Sequence, residues 1–79
     1  MSSGGFDSAA YARRRRAYDL VAKAMQLEQA GQKAKAEKAY VQGVTAYRKY
    51  EPEGLDFALG RHAAFLIAQE RDPEARPVL

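Results

Sequence analysis

Arg13, Arg14, Arg15 and Arg16 form one uninterrupted run. They have the plainest chemical capacity in the chain, since a guanidinium grips carboxylates and phosphates through paired donors. Four consecutive residues on a helix point in four directions and cannot line one groove, so in a chain of net charge +3 the run reads first as a solvated face. It still equips the surface to meet an acidic peptide, an anionic lipid or the acidic surface of a cytoskeletal polymer such as a microtubule, and the lysines that follow add to that capacity. Specific nucleic-acid recognition is not expected. Other chemistry is sparse. His62 is the only histidine and cysteine is absent. A zinc site needs three or four ligands, so His62 reads as a surface or half-buried helix residue. Disulfides, thiol nucleophiles and thiolate metal sites are excluded outright. No carboxylate pair is held in an evident pocket, no serine or threonine has a nucleophile's context, and no glycine-rich loop follows a strand. The expectation is no catalytic site, no metal and no cofactor.

The elements that position these residues follow from composition and punctuation. With 79 residues, 47% of them hydrophobic, the chain can build one core but not two. No apolar run approaches the roughly 20 residues of a membrane span, and the opening MSSGGFDS lacks the order of a signal peptide, so a soluble, cytoplasmic protein is expected. Residues 1–6 read as a flexible segment, 7–72 as the domain and 73–79 as a frayed tail. Asp7 suits an N-cap, with Phe6 and Tyr11 at the positions of a hydrophobic staple. The first helix then runs from near Ser8 to about Ala30, where Gly31 can take the left-handed conformation that ends helices. A second helix follows from Gln32 or Lys33 to Tyr50, broken by Pro52. The third runs from about Gly54 to Arg71, stopped by Asp72 and Pro73.

Periodicity predicts three packed helices. Ala17, Leu20, Val21, Ala24, Met25 and Leu27 make one apolar face, and Ala36, Ala39, Tyr40, Gly43, Val44, Tyr47 and Tyr50 make another. Tyr40 and Tyr47 are expected in the core with their hydroxyls reaching solvent. A mid-helix glycine costs about 1 kcal/mol against alanine, so Gly43 implies that another backbone passes close by. The third helix is apolar most of the way round, with Leu55, Phe57, Ala58, Leu59, Ala63, Ala64, Phe65, Leu66, Ile67 and Ala68. Such a surface is either left for a partner, wedged between the other helices, or used for contacts between copies of the chain.

The strings AYDLVAKAMQLEQAG (17–31) and AEKAYVQGV (36–44) resemble the first two helices of the MIT domain, the microtubule-interacting and transport module, including those of microtubule-severing AAA ATPases. The matching positions are Ala17, Leu20, Val21, Ala24, Glu28, Ala30, Gly31, Ala36, Tyr40, Gly43 and Val44. Beyond Tyr47 the chain departs from that pattern, since family members usually extend helix two and carry a longer, more charged third helix. The resemblance implies an all-α, up-down-up antiparallel three-helix bundle, a TPR-like hairpin plus a third helix. It further implies a non-catalytic adaptor that docks short C-terminal motifs of ESCRT-III subunits. Such a domain would recruit a host protein, an AAA ATPase, protease or deubiquitinase, to endosomal or other remodelling membranes in protein transport. MIT domains take these motifs as a helix between helices two and three or as an extended segment between helices one and three. In the first mode Val44, Tyr47, Leu59, Phe65 and Leu66 would form groove walls, and Arg48, Arg61 and His62 would meet acidic residues at the rim. Two other readings stand beside this one. A self-associating bundle would use helix three as a dimer core. A tetratricopeptide fragment would share the hairpin, but it expects an earlier proline and neighbouring repeats that the chain lacks.

Overall fold

The computed structural model describes residues 8–71. The expected flexible segment 1–6, the Asp7 cap with its Phe6 staple, the Asp72–Pro73 stop and the tail 73–79 lie outside the described residues. Helix α1 spans Ser8–Gln29, α2 spans Lys33–Tyr50 and α3 spans Leu55–Arg71, with one 3-10 turn, Pro52–Gly54, leading into α3. The chain is an all-α, up-down-up antiparallel three-helix bundle.

Gly31 makes the first reversal. At φ +79° it occupies the left-handed region. Its N–H donates to the Glu28 carbonyl at 3.0 Å, and the Gln32 N–H donates to the Leu27 carbonyl at 2.9 Å. These two bonds are a Schellman cap, which satisfies the last carbonyls of α1 and starts α2 within three residues. At the second reversal the Glu51 N–H still reaches the Tyr47 carbonyl at 2.8 Å. Pro52, with no N–H to continue the ladder, then opens the 3-10 turn, closed by the Gly54 N–H on the Glu51 carbonyl at 2.9 Å.

The core sits mainly between α1 and α2. Ala17, Val21 and Ala24 of α1 face Ala36, Ala39, Tyr40, Gly43, Val44 and Tyr47 of α2. The small residues let the helix axes come close, and Gly43 marks the tightest point. A Cβ there would stand 2.6 Å from Val21 Cγ2 and 3.3 Å from the Val21 backbone nitrogen. The neighbouring backbone implied by the mid-helix glycine is therefore that of α1.

Helix α3 lies chiefly on α2 and touches α1 little, so it is not wedged between them. Its buried side chains are Ala58 and Phe65, the latter 5.1 Å from Tyr40 between ring centroids. Tyr40 itself corrects an expectation. It is fully buried, and its hydroxyl donates to Glu28 Oε1 at 2.7 Å, pinning α2 to the end of α1 where solvent was anticipated. Burial, reinforced by the adjacent Glu28 carboxylate, pushes this phenol up to about 12, while Arg61 beside it pulls the other way. No described helix is long and apolar enough to cross a membrane.

Candidate functional site: an aromatic groove between the first and third helices

Tyr11, Arg14 and Tyr18 recur at three and four residues along α1 and so share one side of that helix. That side faces the start of α3. Together with Arg15, Tyr47, Glu51, Gly54 and Phe57 they line an open groove of about 560 Å³. Tyr18 and Phe57 stack across it, centroids 6.1 Å apart and planes 16° from parallel. Phe57 meets Tyr47 edge-on at 5.9 Å and 69°. Gly54 lets Tyr47 lie in the floor, because a Cβ at position 54 would come within 2.6 Å of Tyr47 Cε1. Tyr11, Tyr18 and Phe57 nevertheless keep between 42% and 49% of their surface in water.

Charge at the rim is biased to positive. The lining holds two arginines against one glutamate. Arg14 Nε lies 3.9 Å from Glu51 Oε1, and Arg15 Nε donates to Asp19 Oδ1 at 3.2 Å. Each guanidinium has five donors, so one such pairing leaves others aimed at solvent. Burial, then the neighbouring Tyr18 and Glu51, push the Tyr47 phenol above its ordinary value. The set consists of aromatic faces, hydroxyls and cationic donors, suited to holding an extended chain that carries apolar and acidic side chains. Among the described residues no group of three or more His, Cys, Asp or Glu side chains is placed to hold a metal ion.

The residues expected between α2 and α3 are dispersed. Phe65, Tyr47 and Val44 are core, at 1%, 7% and 8% exposure, so they support the bundle and offer a ligand little surface. Leu59 and Leu66 are open to water on α3, and Arg48 is exposed on α2. His62 is turned inward. It stacks on Tyr40 at 5.7 Å, and its Nε2 is buried without a hydrogen-bond partner, 3.9 Å from Glu37 Oε2. Arg61 of α3 lies beside the Tyr40 hydroxyl of α2, which also donates to Glu28 of α1. Tyr11, Tyr18 and Phe57 were missed by sequence reasoning as site residues, and Arg14 was named only as part of the basic run, although the 11, 14, 18 spacing was there to be read. Compared with models of known protein families, with curated proteins and with solved structures, the chain matches none.

Proposed function

We propose that this chain is a non-catalytic docking module whose groove between α1 and α3 takes an extended, acidic segment of a partner protein. The observation that carries this reading is the open aromatic groove of Tyr11, Tyr18 and Phe57, set over the buried Tyr47, with Arg14 and Arg15 at its edge. Aromatic rings that are already positioned offer contact area at low entropic cost, and arginines select acidic partners. The MIT resemblance names a partner of that chemistry, the C-terminal tail of an ESCRT-III subunit, and with it a role in recruiting a larger host protein to remodelling membranes. The extended mode of that family suits the groove better than the helical mode, because the α2–α3 seam is filled by Phe65 and His62. Affinity for a single tail should be micromolar or weaker, since a short open groove must offset the ordering of a flexible peptide.

An NMR titration of the labelled protein with a panel of ESCRT-III tail peptides tests the proposal. Shifts should cluster on Tyr11, Arg14, Tyr18 and Phe57. An absence of shifts with every tail, even at millimolar peptide, sinks it. One observation favours a second reading, self-association through α3, where Leu59, Leu66 and Ile67 are 40%, 43% and 49% exposed. A dimer mass in solution that Leu66→Ser abolishes would establish it.

A further inference from the structure

The α1–α2 hairpin has a second face, turned away from α3. There Lys23 of α1 and Lys35 and Lys38 of α2, with Leu27, Ala39 and Gln42, line a cleft of about 360 Å³. Toward the other end of the same face Tyr50 sits between two more cations. The Arg13 guanidinium carbon is 5.9 Å from its ring centroid and Lys49 Nζ is 5.3 Å from it. Along α2, Lys35, Lys38, Gln42 and Lys49 follow at three, four and seven residues; along α1, Arg13, Arg16 and Lys23 follow at three and seven. Each series is a single helix stripe.

The acidic residues of the hairpin are committed elsewhere. Asp19 pairs with Arg15, Glu28 accepts from Tyr40, Glu37 faces His62, and Glu51 pairs with Arg14. Among the described residues Lys23, Lys35, Lys38 and Lys49 have no ion-pair partner. Apart from Asp19, which Arg15 holds, the charged side chains along these stripes are all cations. The cations of this face are spread over two helices and much of the length of the hairpin, which suits an extended anionic surface. Its one exposed aromatic ring, Tyr50, is already engaged by Arg13 and Lys49, which leaves no free platform for stacking the bases of a single strand.

We propose that this face docks on an anionic phospholipid bilayer, with Lys23, Lys35, Lys38 and Lys49 meeting lipid phosphates and carboxylates and Tyr50 resting at headgroup level. Tyrosine prefers that interface, and lysines near an anionic leaflet each strengthen binding by about fivefold. The inference does not depend on the peptide groove, which opens on the other side of α1.

Vesicle co-sedimentation of the full chain decides it. Phosphatidylcholine vesicles containing phosphatidylserine should bind the protein, pure phosphatidylcholine should not, and binding should weaken as salt rises. The triple variant Lys23→Gln, Lys35→Gln, Lys38→Gln should bind about 100-fold more weakly. Lys49→Gln, a milder change, should lose about fivefold, and Tyr18→Ala should bind as the parent does. The proposal is overturned by failure to bind phosphatidylserine vesicles, by equal binding to both vesicle types, or by a triple variant with unchanged helical circular dichroism that binds normally. Tighter binding to single-stranded RNA than to vesicles would assign the face to nucleic acid and overturn the lipid reading too.

Discussion

One missing methyl group sets the distance between α1 and α2. At Gly43 a Cβ would stand 2.6 Å from Val21 Cγ2, with the Val21 backbone immediately behind it. Alanine would gain about 1 kcal/mol of helix propensity but impose an overpacking cost of about 1–3 kcal/mol. Gly43→Ala should therefore destabilise by up to about 2 kcal/mol in urea denaturation. In the double variant with Val21→Ala the penalties should be less than additive, because the clashing carbon is gone. A raised midpoint for Gly43→Ala alone would show that the two backbones can part at no cost. Tyr40 makes a different prediction. Its hydroxyl is held neutral by burial and by Glu28, with the phenol pushed up to about 12 against 10.0 when exposed. Below pH 10 both states are protonated and the contribution to stability is complete. Between pH 10 and about 12 the unfolded chain ionises first, so stability falls. Tyr40→Phe should flatten that part of the pH–stability curve, and an unchanged alkaline slope would refute the assignment.

At the scale of elements, the boundaries and the α1–α2 pairing were legible, and the orientation of α3 was not. Gly31 and Pro52 punctuate the chain by mechanisms that need no tertiary context, a left-handed cap and a missing donor. Gly43 was readable because its cost in a helix demands a compensating contact. In α3, by contrast, Phe57, Leu59, Phe65 and Leu66 are all large and apolar, so periodicity cannot say which faces inward. Only packing decides that Phe65 is core and its neighbour Leu66 is surface. The groove was hidden for the same reason, since Tyr11, Arg14 and Tyr18 form a site only once Phe57 is known to lie against them. The adjacent pair gives a sharp test. Phe65→Ala should cost about 3–5 kcal/mol, whereas Leu66→Ser should stay within about 0.5 kcal/mol. Equal losses would mean that α3 is rotated from the position described.

For the whole molecule, the small size and the division of labour among faces belong together. A domain of this length is held by only about 4–12 kcal/mol, most of it from one narrow core of alanines, tyrosines, valines and a phenylalanine. Little of the surface is therefore needed to cover that core. One side carries an aromatic groove edged by arginines, the opposite side of the hairpin carries lysines, and α3 keeps an apolar stripe. The first is the peptide seat we propose and the second the proposed bilayer contact. The peptide seat is the central claim. Fluorescence anisotropy of a labelled ESCRT-III tail peptide, titrated with the parent protein, Tyr18→Ala and Leu66→Ser, tests it most directly. Loss of at least about tenfold in affinity for Tyr18→Ala, with Leu66→Ser binding as the parent does, is the predicted result. Unchanged binding by Tyr18→Ala together with loss in Leu66→Ser would contradict it and return the site to the seam between α2 and α3.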